Sequence, residues 1–115
     1  MFIEDLSEKL YFAEFAARGF KNLSVGWLGD HVPSKGETSP GILAALRRAT
    51  DQNYIEDYFL GEHICEICGE FSSHGHFYVQ HRDINYLLPV MVEHYIVAHG
   101  YMLPGEVVEA LAAMG

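Results

Sequence analysis

Cations are scarce in this chain of 115 residues: seven lysines and arginines stand against sixteen aspartates and glutamates, a formal charge of −9 with a pI near 5.0. That sign is wrong for wrapping a phosphate backbone, so no nucleic-acid partner is expected. Cysteine is scarcer still, with only Cys65 and Cys68. A pair two residues apart closes too small a loop to staple a secreted fold, and points instead to metal or redox chemistry in a reducing cytosol. No long hydrophobic run occurs. The stretch Ile84 to Leu103 is broken by Asn85, Pro89, Glu93, His94, His99 and Gly100, short of the roughly 18 to 20 apolar residues that a membrane span needs. Acids at Glu4 and Asp5 occupy the place where a secretory signal carries positive charge, so a cytoplasmic protein is expected. His-Glu-x-x-His, a glycine-rich phosphate loop and Gly-x-Ser-x-Gly are all absent, and no catalytic residue is assigned.

Half the residues are hydrophobic and 13% aromatic, enough to bury a core in a single domain over residues 1–115. A helical part is expected over 1–58 and a metal-bearing part over 59–115. Leu6, Leu10, Ala13 and Ala17 recur at helical spacing between Asp5 and Arg18, with Gly19 to stop the helix. Residues Leu23–Leu28 read as a short strand and 29–41 as a loop. Ser39 followed by Pro40 reads as an N-cap and first-turn proline, ahead of a helix carrying Ile42, Leu43, Leu46 and Ala49. Tyr58–Leu60 reads as an extended segment. Strands His76–His81 and Ile84–Leu88 form a hairpin through Arg82 and Asp83. Pro89 is expected to open a helix that Gly100 closes, and Pro104 a last one. No internal repeat or linker interrupts this order, and the fold class is α+β.

The chemistry lies in Cys65-x2-Cys68 and His94-x4-His99. Two thiolates and two imidazoles are the donor set of a structural zinc ion, and the thiolates cancel its charge. Gly69 after the second cysteine allows a tight turn that aims both sulfurs at one point. His94 and His99 diverge by about 140° on an ideal helix, so the last turn must loosen beside Gly100 for both to reach one ion. The 25 residues between the pairs accommodate the hairpin. The order knuckle, hairpin, helix is that of a treble-clef-like module. Two other readings remain: cysteines and histidines in ordinary packing, and a redox dithiol, which lacks the expected βαβ context.

Six of the seven histidines lie between residues 63 and 99. His63 stands next to the knuckle as a supporting residue or an alternative ligand. His74 and His76 read as a solvated turn rather than a second metal site. The acids Glu62, Glu66 and Glu70 recur every four residues where a DNA-reading finger presents bases. Most of Trp27, Phe12, Phe15, Tyr54, Tyr58, Phe59, Tyr86 and Tyr95 are expected in the core, with Tyr54 to Phe59 the best candidate for a partner surface because acids interleave there.

Taken together, Val25-Gly26-Trp27-Leu28, Gly61-Glu62-His63-Ile64-Cys65-Glu66-Ile67-Cys68-Gly69 and His94-Tyr95-Ile96-Val97-Ala98-His99-Gly100-Tyr101, with Pro104 beyond, resemble an uncharacterised family of small, mostly bacterial proteins with a presumed metal site. The resemblance covers most of the chain and implies His63, Cys65, Cys68, His94 and His99 as metal-site candidates. Two departures stand out: Leu103 replaces a second proline before the last helix, and His99 comes one residue later than in a stricter spelling of the helix motif. The expected function is a zinc-stabilised domain that binds a protein, as an adaptor, inhibitor or immunity-type factor, with a basic partner favoured by the charge. A zinc hydrolase with an open metal position is the alternative, with His63 or Glu66 as its base. A third reading has the ion stabilise a contact between subunits.

Overall fold

The computed structural model describes residues 2–10, 16–55 and 63–114. Its elements run β1 (Lys21–Ser24), α1 (Pro40–Asn53), β2 (Tyr54–Ile55), β3 (His63–Ile64), β4 (Ser72–Ser73), β5 (His76–His81), β6 (Ile84–Pro89), α2 (Val92–His99) and α3 (Gly105–Met114). The result is a single α+β domain. Its four-stranded sheet has the order β1-β6-β5-β2, with β1 parallel to β6 and the other pairs antiparallel. The strands β3 and β4 form a separate small hairpin. Because β1 and β2 come from before residue 59 and β5 and β6 from after it, the two expected parts share one sheet.

The β5–β6 hairpin turns on Arg82 and Asp83, both at positive φ (51° and 64°), the two-residue turn whose twist matches antiparallel strands. Phe77 and Val79 of β5 and Tyr86 and Leu88 of β6 then share a face, alternate residues of a pleated pair. All four are buried in the core cluster with Ala45, Leu46 and Ala49 of α1 and Val107, Ala110 and Leu111 of α3. The buried Trp27 is fixed by its indole N–H, which donates to the Leu87 carbonyl at 3.0 Å.

Helix α1 begins as its sequence dictates, with Pro40 in the first turn and the Ser39 hydroxyl accepting the Ile42 amide at 3.3 Å. Ser39→Ala is expected to cost about 1 kcal/mol, readable as a lower urea midpoint at unchanged slope; no change would mean that the cap contributes nothing here.

The N-terminal segment corrects the expected Asp5–Arg18 helix. Residues 2–10 lie along the β1 end of the sheet, with bridges Phe2 to Leu28 and Ser7 to Ser24. The amides of Ile3 and Leu6 donate to Trp27 and Ser24 carbonyls at 2.8 Å, and Leu6 stands at φ 62°, outside the helical region. Asp5 is captured by the buried Tyr101 hydroxyl at 2.6 Å and the Gly26 amide at 3.0 Å. Residues 11–15 of that expectation, and the extended segment expected at Tyr58–Leu60, lie outside the described residues. Pro89 also differs from expectation: it is the last residue of β6, paired in register with His76, and α2 starts three residues later. Among the described residues no helix is long and apolar enough to cross a membrane.

Candidate metal centre

Two separate pieces of backbone deliver the four expected ligands. The first is the β3–β4 hairpin, whose tip is the Cys-x-x-Cys-Gly turn. The Gly69 amide donates to the Cys65 carbonyl at 2.7 Å and the Cys65 amide to the Phe71 carbonyl at 2.9 Å. Gly69 sits at φ 68°, in the left-handed region that glycine adopts without a Cβ penalty. This closes the turn and holds the buried Cys65 and exposed Cys68 on one side.

The second piece is α2. The chain leaves it through Gly100 in the left-handed conformation, and the amides of Gly100 and Tyr101 both donate to the Tyr95 carbonyl. That closure is wider than the four-residue step of an α-helix, and it is the loosening that the five-residue spacing of His94 and His99 requires. Beyond it, the Gly36 amide donates to the Gly100 carbonyl and the Met102 amide to Ser34, so the loop before α1 clamps the end of α2.

The two pieces meet. Cys65 Sγ lies 3.4 Å from His99 Nε2, Cys68 Sγ 3.5 Å from His94 Nε2, and the two Nε2 atoms are 3.2 Å apart. All four donor atoms fall within 4.8 Å of one another, so the cluster could hold a metal ion. His94 and His99 are both half-buried. Burial, and then the like charge of His99, hold His94 below the usual histidine range, which favours the neutral ring that a metal requires.

His63 is placed beside this cluster and outside it. Its Nε2 is 3.3 Å from the Tyr95 hydroxyl, and its ring is near parallel to Trp27 at 6.3 Å. The contact links the knuckle to α2 and, through Trp27, to the sheet. Burial lowers the proton affinity of His63, with the Glu66 carboxylate acting the other way. The Tyr95 hydroxyl is pushed well above its ordinary range by burial and then by the negative charge of Cys65, Glu66 and Cys68, so it remains a neutral donor.

Of the other histidines, His74 is exposed, but His76 is buried, which corrects the solvated turn expected for the pair. Strand β5 starts at His76 and draws it in. Among the described residues no second cluster of ligand-type side chains converges. Trp27, Tyr86 and Tyr95 are core residues, whereas Tyr54 is exposed, and 56–59 of the expected aromatic surface are not among the described residues. One contributor went unread in the sequence: Phe71 stacks on the His94 ring at 4.3 Å and 5°. An aromatic residue two positions after the knuckle glycine was the available signal.

Fold and cluster together define a small α+β protein with a candidate Cys2His2 metal centre. The chain matches the domain of unknown function DUF7919 over residues 1–112, and it belongs to that family. The description names neither a metal nor a reaction. No curated protein and no solved structure matches the chain.

Proposed function

We propose that Cys65, Cys68, His94 and His99 hold one structural zinc ion and that the protein works by binding another protein rather than by catalysis. The donor separations carry this reading. With Zn–S near 2.3 Å and Zn–N near 2.0–2.1 Å, a regular tetrahedron places sulfur and nitrogen about 3.6 Å apart and two nitrogens about 3.4 Å apart. Three of the six separations, 3.4, 3.5 and 3.2 Å, lie within a few tenths of an ångström of those edges, and the other three are no longer than 4.8 Å. Four protein donors in that arrangement fill the coordination sphere of zinc, whereas a catalytic site keeps a position for water. Two sulfurs and two imidazoles also favour zinc over calcium or magnesium, which take oxygen.

The succession of knuckle hairpin, β5–β6 hairpin and ligand-bearing α2 supports the treble-clef-like reading. In it the ion ties the small hairpin to α2, while His63 orients the knuckle through Tyr95. A reducing cytoplasm keeps both sulfurs free of disulfides and available as ligands, and the acidic surface favours a basic protein partner.

The test is metal content per chain, by elemental mass spectrometry, in protein purified without added metal or a metal-affinity tag. One zinc per chain is expected. Cobalt substitution then separates the closed site from an enzyme's: strong four-coordinate visible absorption, indifferent to added anions and to pH near neutrality, is expected. A metal-free protein overturns the zinc reading, and an anion-sensitive five-coordinate spectrum replaces it with the hydrolase.

A further inference from the structure

We infer that the outer face of the metal module is the docking surface, and that it takes a lysine- and arginine-rich segment of a partner protein carrying an apolar anchor. The inference rests on the protein-binding reading above, and adds to it a place and a chemistry.

Charge is divided unevenly along the chain. Residues 1–48 hold six acidic and six basic side chains, and residues 49–115 hold ten acidic and one basic, so the whole excess of −9 belongs to the second stretch. Its single cation, Arg82, is 3.2 Å from Glu109, at the hairpin turn remote from the metal module. Arg47 of α1 reaches α2 and is paired there with Glu93. Glu66 and Glu70 are exposed on the knuckle, and an ion neutralised by two thiolates adds no net charge of its own.

Apolar surface lies among these acids. Val97 is the most exposed large apolar side chain among the described residues, at 64%, and Phe71 is exposed at 44%. Phe71 covers the His94 ring. Val97 lies one helical turn after His94, on the neighbouring surface of α2. Ring and ion hold this surface rigid, which lowers the ordering cost of binding. Phe71 offers a ring face for a cation as well as apolar contact. Anionic polymers and anionic bilayers are repelled by the same carboxylates.

The probe is a synthetic amphipathic lysine–leucine peptide, titrated into isotopically labelled, zinc-loaded protein and followed by amide chemical shifts, with a glutamate–leucine peptide as counterpart. Saturable shifts confined to residues 64–71 and 94–98 are expected, with none from the counterpart. Phe71→Ala and Val97→Ser should each weaken binding about tenfold. Glu70→Gln should weaken it about threefold and flatten its salt dependence. Glu109→Gln removes an equal charge at the far end of the β5–β6 hairpin and should leave binding unchanged. Melting temperature and zinc content of each variant establish that it is folded and loaded.

Absence of binding, shifts spread over α1 and α3, or equal weakening by Glu109→Gln would each overturn the proposal. In zinc-loaded protein such a result leaves the metal centre standing. A chain that never holds zinc removes the metal reading first and this surface with it.

Discussion

Cys68→Ser is expected to abolish stoichiometric zinc and to lower the melting temperature by about 10 °C or more, whereas His74→Ala melts with the parent protein. Cys68 supplies one of the four converging donors although its side chain is exposed, and His74 is an exposed residue outside the cluster. Simple burial would rank both substitutions as mild. The proposed zinc ion is what would make them differ, because an unfolded chain has no preformed site and metal affinity therefore adds to folding stability. A serine oxygen replaces a thiolate poorly at a borderline-soft ion. A loss of about 3 kcal/mol corresponds to a shift of that size in a chain of this length. Chelator should lower the parent to the same temperature and leave Cys68→Ser unmoved. Acid acts in the same direction: thiolates and neutral imidazoles bind the ion, so stability falls as pH drops through the ordinary thiol value of about 8.5 and further below the ordinary histidine value of about 6.5. If the two variants melt alike with zinc in excess, the four residues are not its ligands.

Gly75→Ala should cost about 3 kcal/mol without touching any ligand. Gly75 stands between the knuckle hairpin and β5, at φ +83°. A Cβ there would lie 2.5 Å from the Tyr54 ring and 2.7 Å from the Ile55 carbonyl oxygen. The left-handed backbone costs an alanine about 1–2 kcal/mol, and the clash adds to it because the carbonyl belongs to β2, already paired with β5. The Gly75 carbonyl also accepts the Val90 amide at 3.2 Å, ahead of α2, so displacement at this point moves both pieces that carry the four converging donors. Gly41→Ala is the contrast. Its Cβ meets nothing within 4 Å in the first turn of α1, where alanine is the better helix former, and a gain of a few tenths of a kcal/mol is expected. Urea midpoints that agree for the two variants would sink the argument.

What could be read in the sequence was local. Ser39 and Pro40 start α1, Arg82 and Asp83 turn the hairpin, and Gly100 ends α2, each because a few adjacent residues set a cap or a turn. The cluster of Cys65, Cys68, His94 and His99 was legible for a related reason: spacing within each pair follows from one turn and one helix end. What escaped depends on distant partners. Leu6 and Leu10 keep a helical interval, yet Asp5 is held by Tyr101 and the neighbouring amides by Trp27 and Ser24. Nothing near Pro89 announces that it pairs with His76 at the end of a strand. Tyr54 and Ile55 become a strand because β5 offers an edge, and the stacking of Phe71 on His94 joins two elements more than twenty residues apart.

The parallel pairing of β1 with β6 joins the most distant strands of the sheet along the chain. Lys21 meets Ile84 and Ser24 meets Leu87, so this edge closes a loop of some sixty residues, the kind of contact that slows a folding reaction. On a ribosome, β1 emerges long before its partner exists. The knuckle and the β5–β6 hairpin are made of neighbouring residues and can form earlier. His94 and His99 follow β6 by only a few residues, so the last two donors of the cluster and the last strand arrive together, and on the zinc reading proposed above the ion is captured as the sheet closes.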